Sequence, residues 1–319
     1  MGGFVKTLLI EIIQVLLFLA LSPLLLGWIK CLKCLLQNRR PPSIIQPYFN
    51  LIKLIRKQTI VPCEASWIFR FTPYLMFSVS ILAGIMVPLF AINLPIAYMQ
   101  IGDVIVLIGL FALARFFLVL AGMDIGTAFG GMGSSREMLI SSLAEPSALL
   151  VLFTLAMTAS STNLYLIIKH LIESSFVLRP SFVFAFLGLA MITLAETGRI
   201  PIDNPATHLE LTMTHEAMIL EYSGRYLALI EWSAQIKLMV YLVLLSNIFF
   251  PWGIATNLTL SSLSIGLLAT ILKLFGFGLI LAITETNLAK LRLFRAPYFL
   301  SITFMLCLLA ILSHVILEI

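Results

Sequence analysis

Eight ionisable side chains fall inside or at the ends of strongly apolar runs: Glu11, Arg115, Glu145, Glu196, Glu231, Lys237, Lys273 and Glu285. A charge in hydrocarbon is costly, so charged groups kept there commonly mark a path for protons or ions. Carboxylates suit that work because burial favours their neutral form and brings proton uptake towards neutral pH. The alternative is structural: buried ion pairs, or long side chains that reach the interface from helix ends. That alternative is strongest at Glu11 and Glu285. Lys273 lies near the middle of its run, too deep for such an escape.

The densest chemistry lies between 196 and 231. It runs Glu196-Thr197-Gly198-Arg199-Ile200-Pro201-Ile202-Asp203, through His208, Glu210, His215 and Glu216, to Glu221-Tyr222-Ser223-Gly224 and then Glu231. Two prolines and a glycine break the helix there, and irregular backbone beside a membrane needs protein or water around it. A zinc site fails: His215-Glu216 opens a metalloprotease pattern, but Ile219 stands where the second histidine belongs. Cys31-x-x-Cys34 is a lone pair at a helix end, and Cys63 and Cys307 are far from it, so neither a metal site nor a disulfide framework is expected. No Walker motif, dinucleotide fingerprint or nucleophile–base constellation appears.

The elements that must position these groups are membrane helices. Of 319 residues 61% are hydrophobic and 11% charged, against about 25% charged in soluble domains. A span needs about 20 apolar residues, and eight such runs occur: 7–29, 71–92, 101–122, 147–168, 180–198, 227–250, 262–285 and 297–316. The expected fold is an all-α polytopic membrane protein, one domain over 1–319, with amphipathic and loop segments in the cytoplasm. The first run has no basic segment before it and is long enough to span, so it reads as a retained helix rather than a signal peptide.

The net charge of +5 points to membrane orientation rather than nucleic acid. Fourteen lysines and arginines fall on one side: Lys30, Lys33, Arg39, Arg40, Lys53, Arg56, Lys57, Arg70, Arg136, Arg199, Arg225, Lys290, Arg292 and Arg295. Three, Lys6, Lys169 and Arg179, fall on the other. The richer side is expected in the cytoplasm, with both termini outside. In the first connector Ile44, Ile45, Tyr48, Leu51, Ile52 and Ile55 recur at helical spacing opposite Gln46, Asn50, Lys53 and Lys57, which predicts a short interfacial helix. The stretch 122–146 is glycine-rich. Small-residue spacing there suits close helix packing, and Ser134 with Glu137 suggests a capping box opening a short helix.

The run Ala195-Glu196-Thr197-Gly198-Arg199-Ile200-Pro201-Ile202-Asp203, followed by Glu221-Tyr222-Ser223-Gly224, resembles the signature of the complex I subunit 1 family. Arg39-Arg40-Pro41-Pro42 with Gln46-Pro47-Tyr48 and Lys53 is similar to that family's first cytoplasmic loop. The resemblance covers nearly the whole chain, and the family's eight spans agree with the eight runs. Asp203-Asn204-Pro205-Ala206-Thr207-His208-Leu209-Glu210, His215-Glu216-Ala217-Met218, Ala228-Leu229-Ile230-Glu231-Trp232 and Gly126-Thr127-Ala128-Phe129-Gly130-Gly131 look like the hydrogenase branch, the membrane subunits of formate hydrogenlyase and hydrogenase-4.

This resemblance implies a non-catalytic plasma-membrane subunit of an oxidoreductase complex. It would dock a nickel–iron hydrogenase large subunit and an iron–sulfur small subunit, beside antiporter-like membrane subunits and lipid. The metals would sit in those partners, with no cofactor on this chain. The resemblance also implies residue roles. Glu145, Glu196, Asp203, Glu210, Glu216, Glu221, Glu231, Lys237 and Lys273 would couple proton or ion movement to the redox arm. Arg199, Pro201, Tyr222 and Gly224 would shape the loop, and Arg39, Arg40, Gln46 and Lys53 would receive the arm. The quinone branch carries a more acidic loop where Ala206 and His208 stand here. A quinone-site subunit of NADH:quinone oxidoreductase, or a subunit of a hydrogenase-related complex without nickel, is the alternative, and a stand-alone secondary transporter is a second one.

Overall fold

The computed structural model describes residues 2–92, 102–173, 179–203, 214–256, 259–289, 291 and 295–317. Among them lie eleven helices: α1 (Gly2–Leu36), α2 (Gln46–Arg56), α3 (Trp67–Met86), α4 (Val104–Asp124), α5 (Ala128–Ala159), α6 (Leu164–Glu173), α7 (Pro180–Glu196), α8 (His215–Ile219), α9 (Gly224–Phe249), α10 (Leu260–Asn287) and α11 (Ala296–Leu317). Seven are long and apolar enough to cross a membrane: α1 from Leu8, α3, α4, α5, α9, α10 and α11. The eighth expected run, α7, is an apolar helix of 17 residues, about 25 Å long at 1.5 Å per residue. The chain is an all-α, multi-pass membrane protein.

Its surface is that of a molecule solvated by hydrocarbon. Leu260 is 87% exposed, Leu272 72% and Leu268 67%, all on α10. The interior is built around α9, whose residues from Leu238 to Phe249 are buried against α1, α3, α7 and α10. The α5, α7 and α11 helices pack on one another at the other flank. Serines and threonines inside the bundle return their hydroxyls to helix carbonyls, as Thr72 does to Ile68 and Ser147 to Leu143. A buried hydroxyl away from water has to find its partner in the protein.

Two expectations about 122–168 are corrected. The fourth run is not one span from 147. Helix α5 begins at Ala128, ends at Ser160 in the left-handed region (φ 50°), and is followed by the separate α6. Glu145 therefore lies within α5 rather than at a span's start. The capping box is absent as well. Thr127 caps α5 by accepting from the Gly130 N–H, the Ser134 hydroxyl donates to the Val119 carbonyl, and Glu137 turns inward to an ion pair. The small residues act in close packing instead: a side chain on Gly130 would collide with the Gly122 carbonyl, and one on Gly133 would meet Ala217 at 2.9 Å.

The bundle has two unlike ends. At one, α2 lies across the termini of α1 and α9. Gly27 lets the connector touch α1, since a Cβ there would strike the Ile44 carbonyl. Tyr48 donates its hydroxyl to the Ala20 carbonyl. Pro47 and Leu51 are buried, Ile45, Phe49, Ile52 and Ile55 are exposed, and Gln46, Asn50 and Lys53 form an exposed polar strip. The apolar face expected of this helix thus divides into an inward part and an outward part.

At the far end, Val87–Ile92 runs as a buried, non-helical strap. Its backbone is satisfied from three helices. The Leu89 N–H donates to Gln14 Oε1 at 3.0 Å, Asn247 Nδ2 donates to the Pro88 and Leu89 carbonyls at 2.7 and 3.2 Å, and Thr270 Oγ1 donates to the Leu89 carbonyl at 3.1 Å. Ile92 and Phe90 exchange backbone bonds with Ala255. Away from water an unpaired peptide group costs about 1–3 kcal/mol, which explains three polar side chains in an otherwise apolar core.

Candidate functional site

At the α2 end the ionisable residues of four helices, α4, α5, α7 and α9, meet. Arg115 of α4 is 6% exposed. Its Nη2 bonds Glu196, its Nη1 lies 3.0 Å from Glu145, and its Nε lies 3.3 Å from Glu137. Lys237 of α9 reaches the same Glu196 oxygen at 2.8 Å, with its ammonium 5.5 Å from the Phe111 ring centroid. Two cations thus meet three carboxylates, and the centre carries one excess negative charge when all are ionised. Desolvated charges persist when each is paired, and a guanidinium can serve several carboxylates because its donors spread in a plane.

Local sequence places Glu196 here. Helix α7 stops at it because Thr197 and Gly198 turn the chain, Gly198 taking φ +58°. The returning backbone then bonds Arg199 N to the Leu194 carbonyl and Asp203 N to the Arg199 carbonyl. Arg199, expected to shape the loop, and Asp203, expected in coupling, have separate partners. Arg199 Nη1 lies 2.5 Å from Glu285 Oε1, whose other oxygen is 2.5 Å from Lys33 Nζ. Asp203, 3% exposed, accepts from the Thr214 and His215 N–H groups at 3.2 and 3.3 Å. It thereby satisfies the orphan donors that open α8. Pro201 accepts from Leu291 N at 2.9 Å.

Two cavities adjoin these clusters. The larger, about 350 Å³, is bounded by Lys30, Lys33, Arg199, Asp203, Glu216, Glu231 and Glu285 among others. The smaller, about 100 Å³, is lined by Arg115, Glu137, Glu196 and Lys237 with Phe111 and Ser80. Thr197, Gly198, His215 and Ala234 line both. Each is large enough for water, which needs polar partners such as these walls offer.

The Glu221–Gly224 segment ties this region to the first connector. Tyr222 stacks on Phe69 with ring centroids 3.9 Å apart and donates its hydroxyl to the Phe69 carbonyl at 3.0 Å. Burial pushes the Tyr222 phenol above its ordinary pKa, so it remains a donor. The Ser223 hydroxyl accepts from Ile60 N and donates to Ile60 O, both at 2.9 Å. Gly224 holds φ +55° with the Gln58 carbonyl where a Cβ would be, a position that only glycine fills without strain.

Of the expected coupling residues, the structure brings Glu145, Glu196 and Lys237 into one centre and places Asp203, Glu216 and Glu231 on the larger cavity. Lys273 is elsewhere: its ammonium donates to the Phe250 carbonyl at 2.6 Å, at the far end of α9. Glu221 is exposed and lines neither cavity. Glu210, with the run 204–213, lies outside the described residues. Arg39, Arg40, Gln46 and Lys53 are exposed at the α2 end, with Gln46 Nε2 donating to Asn50 Oδ1 at 3.2 Å. Sequence reasoning gave Glu137 only a capping role and His215 only a failed zinc pattern, and for Glu285, where it favoured a buried ion pair or a side chain reaching the interface, it did not name the partner Lys33. The signal for Glu137 was Arg115, a guanidinium in an apolar run that has to be met by carboxylates.

Residues 9–316 match the family described as NADH dehydrogenase. Formate hydrogenlyase subunit 4 of Escherichia coli K12 is 34% identical over 291 residues, 91% of this chain and 93% of that protein. Hydrogenase-4 component C of the same organism is 34% identical over 277 residues, 87% and 86% of the two chains. In fold, the chain is similar to one in the archaeal membrane-bound sulfane sulfur reductase, a respiratory membrane complex. The TM-score is 0.79 at 18% identity, covering 98% of this chain and 99% of that one.

Proposed function

This chain belongs to the NADH dehydrogenase family, that of complex I subunit 1, and from that premise we propose that it is the membrane-anchor and ion-coupling subunit of a hydrogenase-type respiratory complex. The hydrogenase side of the family is favoured because both 34% identical relatives carry hydrogenase or hydrogenlyase names over most of their length. In this reading the α2 end faces the cytoplasm of a plasma membrane. Arg39, Arg40, Gln46 and Lys53 receive a peripheral arm there, made of a large hydrogenase subunit holding nickel and iron and a small iron–sulfur subunit. Antiporter-like subunits adjoin within the membrane.

The observation that carries the coupling role is the buried centre of Arg115, Glu137, Glu145, Glu196 and Lys237 beside a cavity. Its excess charge is one unit, so one proton taken up neutralises it and one released restores it. Redox turnover in the arm changes the charge facing Arg199, Asp203 and Glu216. Through them the proton affinity of the centre changes, because titrations of charges so close are coupled. Each cycle then passes charge laterally to the neighbouring subunits.

The test is Glu196→Gln in the assembled complex, which removes the carboxylate shared by Arg115 and Lys237 with little change of shape. Turnover and ion movement are read together in native-membrane vesicles. The expected result is an assembled complex that turns over without moving ions. Normal coupling in that variant overturns the reading. Purification of the tagged chain in mild detergent, with identification of its companions and assay for nickel, tests the hydrogenase assignment separately.

A further inference from the structure

Among the described residues four wall both cavities, and three of them cannot titrate: Thr197, Gly198 and Ala234. The fourth is His215, the first residue of α8. Its backbone N–H is held by Asp203, which fixes where the ring starts from. Among the described residues, neither ring nitrogen has a hydrogen-bond partner. Gly198 leaves the approach open: a Cβ there would come within 4.0 Å of the His215 Cβ and nothing nearer. The ring is half-buried and borders both spaces.

We propose that the His215 side chain hands protons between the larger cavity and the buried Arg115–Glu196–Lys237 centre. This rests on the coupling role argued above and deepens it by naming the connection. On the side of the larger cavity the charged groups are Lys30, Lys33, Arg199, Asp203, Glu216, Glu231 and Glu285. On the other side they are Arg115, Glu137, Glu196 and Lys237. Among the described residues no carboxylate or amine wall is shared, so a proton crossing between the cavities along them meets His215 or no titratable group in the shared wall.

The step balances simply. A protonated water or acid in the larger cavity gives H⁺ to the unprotonated ring nitrogen, forming an imidazolium. The other nitrogen then gives its proton to a water or carboxylate of the smaller cavity. The ring ends neutral as the opposite tautomer, and rotation of the side chain restores the first. One proton moves and no electrons do. Imidazole suits the task because its ordinary pKa lies near neutrality and it carries a donor and an acceptor at once.

A purely structural His215 would need only its backbone N–H and its volume, and glutamine supplies both. The experiment compares the wild-type complex with His215→Gln, His215→Ala and Glu196→Gln in sealed vesicles, reading redox turnover and ions moved per turnover, with co-purification as the check on assembly. The expected result for His215→Gln is turnover within about two-fold and ion movement down about ten-fold or more, in the range of a lost acid–base group. Imidazole added to His215→Ala restores the movement, and substituted imidazoles do so in order of basicity.

Normal coupling in assembled His215→Gln overturns the relay. If Glu196→Gln couples normally too, or the wild type moves no ions, the coupling role itself falls. If neither histidine variant assembles, His215→Asn and carbethoxylation of the wild-type complex read the same step. Coupling that survives confirmed modification of His215 overturns the proposal.

Discussion

The two ends of the bundle both bury polar side chains, and they do so with different chemistry. At the α2 end the buried groups are charged, drawn from four helices, and stand beside cavities. At the far end they are the neutral Gln14, Asn247 and Thr270, and they bond a strap of backbone. An amide or hydroxyl answers a peptide group at small desolvation cost. A charge is far dearer; at the α2 end Asp203 answers the backbone N–H groups that open α8, but in the Arg115 centre the charges answer only one another. The difference teaches that the far end uses polarity to hold chain together, while the Arg115 centre at the α2 end gathers charge that no backbone group there requires. Lys273 follows the far-end rule, since its ammonium donates to a carbonyl that helix α9 leaves open at its end.

Three substitutions break or sharpen that contrast. The largest effect is expected from Arg115→Met, which strands Glu137, Glu145 and Glu196 around one lysine. Loss of one partner from a buried ionic group costs about 3–5 kcal/mol. The yield of assembled complex and its thermal unfolding in detergent should both fall steeply. If they do not, the centre is better hydrated than its burial implies and the contrast between the ends weakens.

Next comes Asn247→Leu, which removes the donors to Pro88 and Leu89 while leaving Thr270 on the Leu89 carbonyl. About 1–3 kcal/mol of stability should go, with ions moved per turnover unchanged. An uncoupled but stable Asn247→Leu complex would mean that the far end takes part in transport. The smallest effect belongs to Glu221→Gln. Its exposed side chain predicts a change within about 0.5 kcal/mol and ordinary coupling, and a loss of coupling would draw Glu221 back into the path.

The spans were legible because hydrophobicity accumulates over some twenty residues and needs no knowledge of neighbours. The start of α5 was not. Its first turns hold glycines, Ser134, Ser135, Arg136 and Glu137, which look like a loop until α4 and α8 are packed against them. Tertiary contact overrides local preference there. The separate ionisable residues could be seen in the sequence, but which of them meet could not. Lys237 and Lys273 sit in similar apolar surroundings along the chain. One reaches Glu196 and the other a helix end, a matter of how α9 and α10 are turned. His215 was read only for zinc, because its position between two cavities belongs to no local pattern.

The three faces of α2 fix its roll. Pro47 and Leu51 need protein, Ile45, Phe49, Ile52 and Ile55 need hydrocarbon, and Gln46, Asn50 and Lys53 need water. Only one rotation about the helix axis meets all three demands, and only at one depth. If its exposed apolar residues meet lipid, the helix would work as a float and a rivet together: it would mark the level of the bilayer on the protein and transmit that level to α1 and α9. A membrane that thins or thickens would press on α2 before it pressed on the charged centre, so the bilayer itself has a mechanical hold on the site's roof.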